Sequence, residues 1–157
     1  METLTRTRAG GAVVASACAV AWTVGPAFAE QVDRAQNYEL ATSGGAPGLA
    51  YTEGQVDYES ASSFRISGLV DDRCNGNPGD GYGAYVDVLI VFNNGEGDGR
   101  PVAHDNGGCS GPGNNYSDFV NRDRRIDYVI VSVSEFDADT GHTAATDRST
   151  RKNNPFT

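Results

Sequence analysis

Apolar and polar residues alternate along most of the chain beyond residue 48, with the two-residue period of a β-strand. The longest run extends from residue 82 to residue 92. One predicted face of this run is apolar throughout, with Tyr82, Ala84, Val86, Val88, Ile90 and Phe92. The other face carries Leu89 and Val91, and a strand that is apolar on both faces is expected at the centre of a sheet.

Residues 126–136 form a second long run, rich in the β-branched residues that favour strands. Shorter candidate strands cover residues 49–58, 64–70, 101–104 and 116–120. Turns rich in Gly, Asn and Asp separate them. This pattern is typical of a single antiparallel β-sandwich or small barrel, so we predict an all-β domain over residues 48–157.

The first 29 residues have the composition of an export signal. Arg6 and Arg8 precede an uncharged stretch over residues 9–24, and Ala27-Phe28-Ala29 supplies the small residues of a signal-peptidase site. We therefore expect cleavage after Ala29 and secretion of the mature protein.

A retained membrane anchor and a lipoprotein signal cut before Cys18 are the alternatives for this segment. The uncharged stretch is shorter than the roughly 18–20 residues that a spanning helix needs. Ala15 stands where a lipoprotein signal would have leucine. We expect no membrane span in the mature protein, and we predict that residues 30–47, which end in a segment rich in Gly with one Pro, form a flexible N-terminal arm.

Cleavage would leave the mature chain with two cysteines, Cys74 and Cys109. Two cysteines in an exported protein most simply form a disulfide with each other. The bond would close a loop of about 35 residues, which stabilises a fold by roughly 3–4 kcal/mol in the chain-entropy model.

The net charge of the chain is −9. Nucleic acids and anionic membranes favour basic surfaces, so this charge argues against both as partners. The acidic residues are explained by solubility, with an acidic calcium site or a basic protein partner as the alternatives.

Four segments together with the export signal resemble small secreted proteins of high-GC Gram-positive bacteria. They are residues 69–74, 81–86, 105–109 and 154–157. The resemblance implies export, a β fold and the disulfide between Cys74 and Cys109. No activity is assigned to that group, so the resemblance implies no functional residue.

The segment that begins at Asn94 has oxygen donors at alternate positions followed by glycine, as in a calcium-binding loop. The predicted ligands are Asn94, Glu96, Asp98 and Asp105. The Asn-Gly pair and the strand-like flanks instead favour a hairpin turn, which is the alternative interpretation.

Flat aromatic rings bind the faces of sugars, and Tyr51, Tyr58 and Tyr85 are the candidates for an exposed binding platform. Tyr82 and Tyr128 are expected in the core. Signals for catalysis are few, because the chain has two histidines and none of the common nucleophile motifs. Clustered Asp and Glu residues are the remaining candidates for a catalytic pair.

These observations favour a secreted, non-catalytic binding or envelope-associated protein. The expected partner is a cell-wall polysaccharide or another extracellular protein. The alternative is a small extracellular hydrolase that uses clustered Asp and Glu residues.

Overall fold

The alternating pattern forms β-structure throughout the described part of the chain. A computed structural model describes residues 33–43, 48–74, 81–108, 111–137 and 139–157. These residues form the strands β1 (Ala35–Ala41), β2 (Gly48–Ser60), β3 (Ser63–Cys74), β4 (Gly83–Phe92), β5 (Gly97–Asp105), β6 (Asn114–Asn121), β7 (Ile126–Asp137), β8 (His142–Arg148) and β9 (Lys152–Asn153). The predicted all-β class is confirmed.

The strands form two antiparallel sheets. Sheet 1 has the order β1-β2-β3-β6, and sheet 2 has the order β5-β4-β7-β8. The short strand β9 pairs with the beginning of β7, whereas β8 pairs with the rest of it. The prediction that β4 is central is confirmed, because β5 and β7 flank it.

The core lies between the inner faces of the two sheets, where β2 contacts both β4 and β7. Sheet 1 contributes Val56, Tyr58, Phe64, Ile66 and Val70, and sheet 2 contributes Val86, Val88, Ile90, Val129, Val131 and Val133. Full burial of such a side chain is worth about 1.5–3 kcal/mol. Burial of the apolar side chains that alternate along the strands is therefore the main stabilisation of the fold.

Strand β1 corrects the expectation that residues 30–47 form a flexible arm. Residues 35–41 pair with β2 along their whole length, from Ala35 opposite Asp57 to Ala41 opposite Tyr51. Tyr38 and Leu40 are buried in the core. The expectation is wrong for this stretch, because Tyr38 and Leu40 face the core while Asn37 and Glu39 face outward, which is the alternation of a strand.

The C-terminal residues hold one end of the two sheets together. Asn154, only 4% exposed, donates from Nδ2 to the carbonyl oxygens of Ser60, Ala61 and Ile126 at 3.0–3.2 Å. Phe156, two residues further on, packs against the core. Asn154 thus joins the β2–β3 turn of sheet 1 to the start of β7 in sheet 2.

A buried carboxylate joins the sheets near the other end of β7. Glu135 is 1% exposed, and its Oε1 accepts hydrogen bonds from the Thr42 hydroxyl at 2.8 Å and the Ala50 amide at 3.2 Å. These bonds link β7 to β2 and to the segment between β1 and β2.

Two expectations lie outside the described residues. The export signal covers residues 1–29, none of which is described. For the predicted disulfide, Cys109 and the side chain of Cys74 likewise lie outside the described part of the chain, although the backbone of Cys74 ends β3.

Candidate functional site

A row of two tyrosines and two glycines crosses the four strands of sheet 1. Tyr38 on β1 stands opposite Gly54 on β2, which stands opposite Gly68 on β3, which stands opposite Tyr116 on β6. A Cβ at Gly54 would lie 2.1 Å from the carbonyl oxygen of Ser67 and 2.6 Å from the Tyr38 hydroxyl. Only glycine fits there, because a real Cβ does not approach another atom so closely.

The hydroxyl groups of the two tyrosines meet beneath these glycines. The Tyr38 and Tyr116 oxygens are 2.5 Å apart, and Tyr116 also contacts the Thr52 hydroxyl at 2.9 Å. Burial raises the pKa of both phenols, so both remain neutral hydrogen-bonding groups. The tyrosines therefore support the glycine row from the core side.

On the outer side of the same row the sheet forms a groove of about 780 Å³, named here the sheet 1 groove. The row itself forms its floor, with Tyr38 and Tyr116 at the two ends and the bare backbone of Gly54 and Gly68 at the centre. One wall consists of Asn37, Gln55 and Ser67, and the opposite wall of Glu39, Glu53, Leu69 and Asn115. Because neighbouring strands are about 4.8 Å apart, a groove across four strands is about 15 Å long.

The amide side chains of the walls are available to a ligand. Asn37 and Asn115 are exposed and Gln55 is partly buried. Among the described residues, none of these three amide groups has a hydrogen-bond partner. Each amide offers both donors and acceptors.

Two glutamates on the other wall share one tyrosine. Glu39 and Glu53 are cross-strand partners, and the Tyr51 hydroxyl lies 3.3 Å from Glu39 Oε1 and 2.8 Å from Glu53 Oε2. The hydrogen bond to Glu53 is the main cause that raises the pKa of Tyr51 to about 12. Like charges directly opposite each other destabilise a sheet, so the placement of two glutamates at these positions does not stabilise the fold.

Arg73 holds Tyr51 in place beside the groove. Its guanidinium carbon lies 3.5 Å from the centre of the Tyr51 ring, and its Nε donates to Asp71 Oδ2 at 2.7 Å. The cation–π contact and the ion pair fix the ring so that its hydroxyl points at the two glutamates.

The three tyrosines predicted as a binding platform do not lie together. The prediction that Tyr58 is an exposed ring is wrong, because Tyr58 is fully buried and its hydroxyl donates to the carbonyl oxygen of Lys152 at 2.6 Å. Tyr51 is 7% exposed beneath Arg73. Tyr85 is partly exposed on the outer face of sheet 2, opposite His104 in the register.

Aromatic rings gather around Tyr85 at one end of sheet 2. The ring stacks on His104 with centroids 5.5 Å apart and meets the edge of Phe136 at 5.1 Å. Asn106 Nδ2 donates to the Tyr85 hydroxyl at 3.0 Å. Tyr82 and Tyr128, which were expected in the core, are only partly buried, which corrects that expectation.

The predicted calcium ligands are not brought together. Asn94 lies in the hairpin turn between β4 and β5, where its Oδ1 accepts the Glu96 amide at 3.1 Å. Glu96 pairs with Arg124, and Asp98 pairs with Arg122 at 2.9 Å. The hairpin alternative therefore describes this segment.

Asp105 lies at the opposite end of β5 from Asp98. It is 4% exposed and accepts hydrogen bonds from the backbone amides of Asp72 and Gly107 at 3.2 and 2.9 Å. Within the described ranges, no group of three or more His, Cys, Asp or Glu residues is arranged to hold a metal ion.

Sequence reasoning missed the groove residues Glu39, Glu53, Gln55 and Asn115. One signal was present, because Gly54 and Gly68 interrupt two strand patterns, and a glycine inside a strand marks a close approach of backbone. The pairing of the two glycines depends on the register between β2 and β3.

Comparison of the chain with protein-family models, with curated proteins and with solved structures finds no match. The described residues include no helix that is long and apolar enough to cross a membrane. The function of the candidate site is therefore inferred from its own contacts, distances and burial.

Proposed function

We propose that the protein is exported and binds an extended polyhydroxylated chain, a cell-wall polysaccharide, in the sheet 1 groove without catalysis. The observation that carries this proposal is a groove across all four strands whose floor is bare backbone at its centre, at Gly54 and Gly68. A ligand chain lying across the strands reaches the sheet backbone between two polar walls.

The walls match the chemistry of sugar hydroxyl groups. A hydroxyl group donates one hydrogen bond and accepts others, and amides and carboxylates provide both kinds of partner. Asn37, Gln55 and Asn115 supply amides, and Glu39 and Glu53 supply acceptors. The wall side chains include no aromatic ring, so affinity comes from hydrogen bonds rather than from ring stacking.

An extracellular protein is the less favoured partner. The centre of a protein interface is enriched in aromatic and apolar residues, whereas Leu69 is the one apolar side chain among the described wall residues. The exposed large apolar residues in the described chain, Leu89 and Phe119, lie outside the groove.

Retention on purified Gram-positive cell-wall polysaccharide tests the proposal. The double variant Gln55→Ala with Asn115→Ala removes an amide from each wall, and we expect about tenfold weaker retention. Asn121→Ala is the matched control, because it removes an exposed amide of β6 outside the groove. Equal retention of the double variant and the control would refute groove binding, and capture of a supernatant protein alone would favour the protein partner.

A disulfide between Cys74 and Cys109 is part of the proposal. Asp105, shortly before Cys109 in the chain, accepts the Asp72 amide, and Asp72 shortly precedes Cys74. Each residue extends the chain by at most about 3.5 Å. Both cysteines are therefore only a few residues away from two positions, Asp72 and Asp105, that are hydrogen-bonded to each other. We expect no free thiol in the exported protein by alkylation and mass spectrometry, and a mature start at Glu30; free thiols or another start would contradict these assignments.

A hydrolase is the second candidate, favoured by the Glu39–Glu53 pair. Both carboxylates contact the same Tyr51 hydroxyl, so the two contacting oxygens are at most about 6 Å apart, which allows the roughly 5–5.5 Å separation of a retaining glycosidase and not the wider one of an inverting enzyme. Release of reducing ends from the retained polysaccharide, abolished in Glu53→Gln, would establish this activity. Retention without release supports the binding protein.

A further inference from the structure

A second cavity opens on the outer face of sheet 2, on a different sheet from the groove. Its volume is about 280 Å³, close to the lower limit of ligand pockets. Its lining residues are Asp87, Val88, Leu89, Gly99, Ile130, Ser132 and Arg148. The cavity has the size for a small molecule.

Opposite charges stand at the two ends of one cross-strand row in this cavity. Asp87 on β4 is opposite Ser132 on β7, which is opposite Arg148 on β8. Two strand spacings place the Cα atoms of Asp87 and Arg148 about 10 Å apart. The Ser132 hydroxyl lies between them, 3.5 Å from the carbonyl oxygen of Asp87.

Neither charge is neutralised within the described part of the chain. The Asp87 carboxylate and the Arg148 guanidinium take part in none of its ion pairs or side-chain hydrogen bonds. Asp87 is partly buried, and this burial raises its pKa. A carboxylate that is desolvated without a partner is characteristic of a binding site.

An apolar surface adjoins the charged row. Leu89 follows Asp87 on the same face of β4 and is 41% exposed. It stands opposite Ile130 on β7. A Cβ at Gly99, on the other side of Leu89, would have no atom within 4 Å. The cavity is therefore open beside its apolar residues.

We propose that this cavity binds a free α-amino acid with an apolar side chain. Asp87 binds the ammonium group, Arg148 binds the carboxylate, and Leu89 and Ile130 contact the side chain. A zwitterion satisfies both charges at once, and a short ligand between the two side chains matches their spacing. This site is independent of the sheet 1 groove.

Calorimetric titration of the purified protein with leucine tests the proposal. We expect saturable binding and a higher thermal midpoint with leucine, because a ligand that binds only the folded state stabilises it. N-acetylleucine lacks the ammonium charge and leucinamide lacks the carboxylate, so each should bind at least tenfold more weakly. Absence of saturable leucine binding, or equal binding of either derivative, overturns the proposal.

Two substitutions locate the site. Asp87→Asn and Arg148→Met should each weaken leucine binding at least tenfold, whereas retention of the cell-wall polysaccharide should not change. Asp123→Asn and Arg65→Met are the matched controls, since they remove the same charges from exposed positions away from the cavity. Unchanged thermal midpoints without ligand would show that Asp87→Asn and Arg148→Met fold, and unchanged leucine affinity in both would refute the assignment.

Discussion

The outer faces of the two sheets differ in what lies at their centres. Sheet 1 has two glycines there, and polar side chains stand on both sides of the bare backbone. Sheet 2 has Leu89 and Ile130 beside a charged row, with aromatic rings around Tyr85 toward one end. Both sheets bury the opposite face in the same core, so the outward positions are free to differ. One scaffold therefore presents two outer faces of different chemistry, a polar face with bare backbone on sheet 1 and an apolar face beside a charged row on sheet 2.

The largest expected effect concerns the glycines. Gly54→Ala forces a Cβ to within 2.1 Å of a backbone carbonyl oxygen, so we expect a loss of about 3 kcal/mol in the free energy of unfolding. Gly99→Ala in sheet 2 is the control, because open space surrounds its Cβ, and we expect a change below about 0.5 kcal/mol. Denaturant unfolding measures both, and equal losses would contradict the close packing of sheet 1.

The next effect concerns the connection between the two sheets. Asn154→Ala removes the side-chain hydrogen bonds to three carbonyl oxygens, of which the Ala61 oxygen keeps the Ile126 amide as a donor, so we expect a loss of about 2 kcal/mol. Asn153→Ala removes the exposed neighbouring amide and should change stability little. Denaturant midpoints compare them, and a loss in Asn153→Ala as large as that in Asn154→Ala would show that the buried bonds are not the cause.

Alkaline pH should destabilise the protein through sheet 1. The folded pKa values of Tyr38, Tyr51 and Tyr116 are raised, so above about pH 10 the unfolded chain loses these protons while the folded chain keeps them. Stability is therefore fully present below about pH 10 and falls as the pH rises through the raised values. Tyr38→Phe should reduce the slope of thermal midpoint against pH, and Tyr85→Phe in sheet 2 is the control.

If Tyr38→Phe keeps the wild-type slope of thermal midpoint against pH, the buried hydroxyl network does not cause the alkaline destabilisation. The same conclusion follows if Tyr85→Phe reduces this slope as much as Tyr38→Phe does.

The smallest expected effect lies in the β4–β5 hairpin of sheet 2. Glu96→Gln should barely change stability, because Glu96 and Arg124 form an exposed ion pair. Excess calcium and excess chelator should give the same thermal midpoint, because Asp105 lies at the far end of β5. A higher midpoint in calcium that Glu96→Gln abolishes would restore the calcium-loop interpretation.

Strands with a clear alternation could be predicted from the sequence. Residues 82–92 and 126–136 correspond closely to β4 and β7, and the shorter candidates correspond to parts of β2, β3, β5 and β6. Strands β8 and β9 were not predicted, because their residues are largely polar or small, and β1 was not predicted, because Tyr38 and Leu40 are the only large apolar residues of its inward face. Their stability comes from pairing with β2 and β7.

The candidate sites were largely beyond prediction. Tyr58 and Tyr85 both belong to alternating runs, yet Tyr58 is fully buried and Tyr85 faces outward. Alternation says which residues share a face, and the face that meets the other sheet is decided by tertiary packing.

By itself, the sequence determined the all-β class, the positions of most strands and the residues that share each strand face. These properties are local, since they depend on period, turn residues and side-chain type. Only the tertiary structure decided that Tyr38 meets Tyr116, that Glu39 stands beside Glu53, and that Asp87 and Arg148 share a row. Such neighbours belong to different strands, and strand order and register depend on how the whole core packs rather than on any one segment.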